Sequence, residues 1–255
     1  MNAPFKFDLA EEFPHLSKAP IVEAAFDIRA RASIAWEQES VEERIRGLLP
    51  DYPQRQSQRR FQGQLTADTN QPFTATVQDL GWHALVCRTA DGLQVAQFQA
   101  DGFIFSRLAP YLNWDSLQAE ALRLWDIYRQ IAAPSVITRI GVRFINRLSV
   151  EGGKPFEDYL VDPPKSPGDL QANIMGYLSQ STFQVPEHPY FINLAQTLDV
   201  RTDGSGLGII LDIDVYTTQE PAADADLTVR LQEMRWLKNK IFFSSLTKKI
   251  FKDLK

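Results

Sequence analysis

Arg139-Ile140-Gly141-Val142-Arg143-Phe144-Ile145-Asn146-Arg147 alternates in a way that only a half-buried strand explains. Ile140, Val142 and Phe144 form one apolar row, while Arg139, Arg143 and Arg147 project from the other side with Gly141 and Ile145 between them. Side chains two apart on a strand stand about 6.8 Å from one another on the same face, so the three guanidinium groups line one ridge of a sheet. The strand predicted around this stretch runs from Val136 to Val150.

Two further segments show the same division. Leu211, Ile213 and Val215 alternate with Asp212, Asp214 and Tyr216 in the run from Leu207 to Thr217. Between Ile21 and Arg31, Val22, Ala24, Phe26, Ile28 and Ala30 make the apolar row, and Glu23, Asp27, Arg29 and Arg31 fall opposite. Sheet faces that are charged on one side and apolar on the other call for helices on the apolar side.

The helices are legible by period and punctuation. Leu117, Ala121, Leu124, Tyr128 and Ile131 step by alternating fours and threes, with Asn113 placed to cap the start and Pro134 beyond the end. A last helix is predicted from about Asp226, carrying Leu227, Leu231, Met234, Leu237 and Ile241 on one face. A short helix stopped at Pro50 follows from the capping-box pair Ser40 and Glu43. Phe61 to Leu108 reads as an antiparallel meander turning at Asp91-Gly92 and Asp101-Gly102. One or two short helices are expected within residues 156–180, and a strand near 190–202. This order predicts an α+β protein of two similarly organised halves, residues 1–134 and 135–255, forming one compact unit. Each half would be an antiparallel sheet with a long C-terminal helix packed on one face, as an internal duplication would produce.

Composition narrows the chemistry. The chain has 255 residues with 44% apolar and 23% charged side chains, ordinary globular usage. It contains no run of about 18 apolar residues, and Pro4, Asp8, Glu11 and Glu12 stand where a secretory signal needs a basic start and an apolar core, so a cytoplasmic protein without a membrane segment is expected. Cys87 is the only cysteine, which leaves no cysteine-based zinc site or internal disulfide. His15, His83 and His188 lack metal-ligand spacing. Gly204, Gly206 and Gly208 follow Asp203 and lead into a strand, which fits a hairpin turn better than a phosphate loop. A net charge of −5 argues against general attraction to nucleic acid. Arg55, Arg59 and Arg60 are a local exception, and they carry a third-ranked nucleic-acid-binding reading. Lys238, Lys240, Lys248, Lys249, Lys252 and Lys255 concentrate at the carboxyl end, where a solvated basic face is expected.

Glu23, Asp27, Arg139, Arg143, Asn146, Arg147, Asp212 and Asp214 are the candidate ligand-binding residues. A charged sheet face carrying them can be stitched by cross-strand ion pairs, or it can recognise a protein partner or an anionic small ligand. No catalytic residue, resident metal or cofactor is assigned. The enzymatic alternative is a metal-dependent phosphohydrolase acting on nucleotide or polyphosphate, with Asp212 and Asp214 on a divalent cation and the three arginines on phosphate oxygens. Leu211-Asp212-Ile213-Asp214 loosely resembles the closing acidic strand of triphosphate tunnel enzymes. That family's opening Glu-x-Glu-x-Lys strand is absent, since Glu23, Ala25 and Asp27 occupy the comparable places.

Three stretches together resemble a sporadically distributed, uncharacterised prokaryotic family of about this length. They are Ala19-Pro20-Ile21-Val22-Glu23-Ala24, the central Arg139 to Arg147 run, and Asn239 to Phe243 with Thr247. The resemblance implies a similar fold and a binding or accessory role, as in a defence or toxin-type locus, with no established activity to carry over.

Ile241, Phe242, Phe243, Leu246, Ile250, Phe251 and Leu254 are more apolar residues than one helical stripe hides. Phe242, Phe243, Leu246, Ile250 and Phe251 are therefore candidate interface residues for a homodimer or a protein partner, against the simpler alternative of core packing.

Overall fold

The structure, a computed structural model, describes residues 5–68, 71–151, 153–168, 170, 172–200, 206–222 and 225–255, with the side chains of 64–75 set aside. Asp203 and Gly204 of the expected glycine turn lie outside the described residues.

The nine strands are β1 (Ile21–Arg29), β2 (Gln54–Asp68), β3 (Gln71–Arg88), β4 (Gln94–Gln99), β5 (Gly102–Leu108), β6 (Arg139–Ser149), β7 (Leu178–Gln184), β8 (Tyr190–Val200) and β9 (Leu207–Thr217). The helices are α1 (Gln38–Leu48), α2 (Trp114–Ala132) and α3 (Thr228–Ser245). The strands form one antiparallel sheet in the order β2-β3-β4-β5-β1-β6-β9-β8-β7. This corrects the expectation of two halves, each with its own sheet and long C-terminal helix. β1 pairs with β5 on one side and with β6 on the other, so the sheet runs without a break across residue 134. Local periodicity reports which face of a strand is buried but not which distant strand lies beside it.

Register explains the core. Cys87, Ala96, Phe105, Phe26, Val142, Val215 and Ile192 stand opposite one another in turn across seven strands, a single row from β3 to β8. That row is buried throughout, and the helices lie over it. Phe26 meets Trp114 of α2, with ring centres 5.5 Å apart. The Tyr128 hydroxyl donates to the Ala30 carbonyl at 2.6 Å, fixing α2 to the end of β1. From α1, Arg44 donates to the Gln130 and Ile131 carbonyls at the carboxyl end of α2, where its charge suits the helix dipole.

The caps are those the sequence implies for α2. Asn113 Oδ1 accepts from the Ser116 amide at 2.8 Å. Beyond the last turn, Ala133 takes a left-handed conformation at φ 45°. The start of α1 differs from expectation, because Glu37 is its N-cap without a side-chain bond and Ser40 lies inside the helix. Among the described residues of 156–180, the only helical element is a 3₁₀ turn, Phe156–Asp158, in place of the short helices expected, and the chain then enters β7, a polar edge strand.

Between β4 and β5 the chain passes very close to β1. A Cβ added to Gly102 would sit 2.6 Å from the Ile28 carbonyl oxygen, so this backbone approach requires glycine. At the other edge, β2 and β3 extend beyond their neighbours as a two-stranded arm. Residues 58–63 and 76–80 are exposed on both of its faces, including Phe61 and Val77.

Candidate functional site: the open face of the sheet

The face away from the helices carries the charged rows. Gly141 and Gly208 decide how its arginines lie. The Arg139 guanidinium folds back over Gly141, where an added Cβ would come within 2.3 Å of Nη1. Arg147 reaches across Gly208 of β9 in the same way, with the guanidinium carbon 2.8 Å from the position of that Cβ. Each strand glycine is thus a seat for a flat cation.

From these seats the arginines hold carboxylates on neighbouring strands. Arg139 Nη1 donates to Asp27 Oδ2 at 2.6 Å on β1, and Nη2 donates to both Asp214 oxygens at 2.9 and 3.1 Å on β9. Its guanidinium also lies 4.8 Å from the Tyr216 ring centre, and Tyr216 stacks on Phe191 at 5.5 Å. Arg143 grips Asp212 with two bonds, 2.9 Å from Nε to Oδ1 and 2.5 Å from Nη2 to Oδ2. Arg147 Nε donates to Asp199 at 2.5 Å, and Nη2 donates to the Gly206 carbonyl at 3.1 Å. Arg29 Nε forms an ion pair with Asp27 Oδ1 at 2.8 Å, and Arg29 donates to Gln99 at 2.9 Å.

The lattice continues outward through neutral groups. Asn193 donates to Asp214 at 3.2 Å, and Thr182 of β7 donates to Asn193 at 2.8 Å. Four arginines therefore face four aspartates from β1 to β8, and polar partners extend the network to the edge. Burial pushes the Asp27 carboxyl above its ordinary range, against the pull of Arg139 and then Arg29. The Asp212 carboxylate holds Arg143 above the usual guanidinium value. Exposure separates two of the arginines: the Arg147 side chain is 9% accessible, whereas that of Arg143 is 52% accessible and presents its outer edge to solvent.

Of the expected ligand-binding residues, Asp27, Arg139, Arg143, Arg147, Asp212 and Asp214 share this face, each in an ion pair, with Arg147 paired to Asp199 outside the expected set. Glu23 shares the face but accepts from Ser106 at 2.8 Å instead of pairing with an arginine. Asn146 belongs on the other side. It has the parity of Phe144, is buried, and donates to the Leu211 and Phe144 carbonyls at 3.0 and 3.3 Å. Arg29, Asp199, Asn193 and Tyr216 complete the lattice, and Asp199 carried no signal beyond an acidic residue near a strand end. Among the described residues, no group of three or more acidic, histidine or cysteine side chains is placed to hold a metal ion.

Two other candidate clusters take definite places. Arg59 pairs with Asp79 at 2.7 Å, Arg60 contacts His83, and Arg55 turns inward to the Leu49 carbonyl, so the three do not form one basic patch. At the carboxyl end, Phe242, Leu246 and Ile250 are core residues, and Phe243 and Phe251 pack partly buried against them. Phe13 stacks on Phe243 at 5.5 Å, and the backbone of 159–161 bonds to Ser245 and Thr247. Core packing accommodates the excess apolar residues because the N-terminal segment and the 156–161 turn cover them. A groove of about 590 Å³ remains between Leu160, Pro163, Lys165, Phe243 and Phe251.

Among the described residues no helix is long and apolar enough to cross a membrane. No protein-family model matches the chain, and no curated protein matches it.

Proposed function

We propose that the protein is a non-enzymatic accessory or binding protein that receives a protein partner on the open face of its sheet. The observation that carries this reading is the mutual neutralisation of that face. The arginines that could have gripped a phosphate already hold aspartates, and Asp212 and Asp214 already hold Arg143 and Arg139. A small anion or a divalent cation would have to break those pairs, leaving partly buried charges without partners. A protein surface can instead add hydrogen bonds to the lattice and cover the Phe191 and Tyr216 rings without displacing anything. A cytoplasmic role beside a toxin or other effector accords with the family resemblance, and it belongs to the same proposal.

Exchanging the charges tests it. Arg143→Asp combined with Asp212→Arg keeps a pair at the same place and reverses its direction, so the fold is retained. Native-cell cytosol passed over the wild-type chain should yield one partner in fixed proportion, and the exchanged chain should hold it at least about tenfold less well. Bound partner should slow amide exchange in β6, β8 and β9. Equal capture by both chains, or protection confined to the arm or the helix side, overturns the reading. So does Mg²⁺- or Mn²⁺-dependent phosphate release from nucleotide or polyphosphate that disappears in Asp212→Ala and Asp214→Ala.

A further inference from the structure

The two edges of the sheet are finished differently. At one end β2 exposes Arg59 and Arg60, and its pairing with β3 shifts register at three places. Charge and irregularity of this kind keep an edge from pairing with another chain. At the other end β7 has neither. It pairs with β8 in unbroken register from Leu178 to Gln184, and it holds no charged residue and no proline. It lies within the longest uncharged stretch of the chain, Leu170 to Pro186. Along that stretch Met175 is 83% exposed and Leu178 70%, and Leu170 and Phe183 are exposed as well.

The ladder shows which groups this edge leaves open. The Val185 N–H donates to the Tyr190 carbonyl at 2.9 Å and the Leu198 N–H to the Tyr177 carbonyl at 3.1 Å, so the odd-numbered residues of β7 bond to β8. In an antiparallel pair the residues between them point the other way. The N–H and C=O groups of Leu178, Gln180, Thr182 and Gln184 therefore face outward, and among the described residues no other segment of the chain bonds them. Their side chains belong to the open face, where Thr182 meets Asn193.

We propose that a second copy of the chain adds to this edge, β7 against β7, in antiparallel pairing about a two-fold axis through Ser181. In that register Leu178 stands opposite Gln184 and Gln180 opposite Thr182, so each outward N–H meets a C=O of the copy. Neutrality selects a copy over a foreign strand. About a two-fold axis any charge on the stretch comes near its own like, whereas a strand of another protein is best met with opposite charge. The axis stands normal to the sheet, so both charged faces lie on one side of the joined sheet and both sets of helices on the other. The pairing uses the edge and not the open face, and it stands whether or not that face receives a partner.

Sedimentation of the purified full chain provides the test. Its mean mass should climb from one chain toward two between about 1 and 500 μM, as suits an interface smaller than a permanent dimer has. Gln180→Pro removes an outward N–H and keeps every bond to β8, so it should weaken the dimer at least about tenfold while the dilute chain melts as the wild type does. Ser181→Cys should cross-link to its own copy on mild oxidation, because residues at the axis stand about 4.5 Å apart between Cα atoms. Ser179→Cys, set opposite Phe183 of the copy, should not, and the buried Cys87 takes no part. A single-chain mass at every concentration overturns the proposal; if β7 then gains amide protection only in cytosol, the edge belongs to a strand of another protein. Equal association of the wild type and Gln180→Pro, or equal cross-linking at 179 and 181, puts the dimer on another surface and overturns it too.

Discussion

At the scale of single residues, the glycines separate two kinds of necessity. Gly102 faces a backbone carbonyl that cannot move away, whereas Gly141 faces the far end of an arginine that can. Gly102→Ala should therefore destabilise by about 2 kcal/mol or more, and Gly141→Ala by about 1 kcal/mol, the worth of the displaced ion pairs. Chemical denaturation of the two variants checks the order, and equal losses would refute it. The arginines and aspartates were legible from alternation alone, but their seats were not, because a glycine in a strand does not announce what lies over it. Asn146 shows the opposite error: its parity places it in the core, and its polar character drew it toward the charged face.

Lys238 gives a second prediction at this scale. Burial, and then the charge of Arg235, pushes its amine from the ordinary lysine range, near 10.5, down to about 7 in the fold. Below the lower value both states hold the proton, and the fold bears the full cost of a charge without an acidic partner. Between the two values only the unfolded chain holds it, so this contribution to stability rises with pH. Lys238→Met should therefore stabilise the chain by an amount on the order of 2 kcal/mol at pH 6. The gain should fade toward pH 10. Melting curves across that range read the difference, and a gain independent of pH would exclude this origin.

At the scale of elements, legibility followed period and punctuation. Asn113 and Pro134 bracket α2, and Leu231, Met234 and Leu237 of the expected α3 face are buried, whereas Ile241 is only partly buried and Trp236 and Phe242 are buried outside that series. β7 escaped notice because Leu178–Gln184 is a mostly exposed polar edge with no apolar row to read. The arm of β2 and β3 buries little between residues 58–63 and 76–80 and pairs with no third strand there. It should therefore contribute little to global stability. Replacing residues 61–79 with an Asn-Gly turn should leave the thermal midpoint within about 4 °C of the wild type. A larger fall would mean that the arm is part of the cooperative core.

At the scale of the whole molecule, a single sheet replaces the expected pair because its central joint is made by segments far apart in the chain. Ile28 stands opposite Ile140, and Phe26 opposite Val142, contacts that no local pattern encodes. A recurring order of strands and helices along a sequence does not decide whether strands close into two sheets or one. The charged face depends on this joint, since Arg139 on β6 links Asp27 on β1 to Asp214 on β9.

The central position of β1 also bears on how the chain is made. β1 leaves the ribosome before β6, and one of its two edges stays open until β6 has followed more than a hundred residues later. At synthesis rates of about 5–20 residues per second, that edge waits for several seconds or longer, unpaired and able to template association with another nascent chain. Asp27 and Arg29 on the outward side of β1 place charge on that waiting strand, where it opposes burial of the strand against another chain. The carboxylate that later locks the mature face thus also guards the unfinished chain.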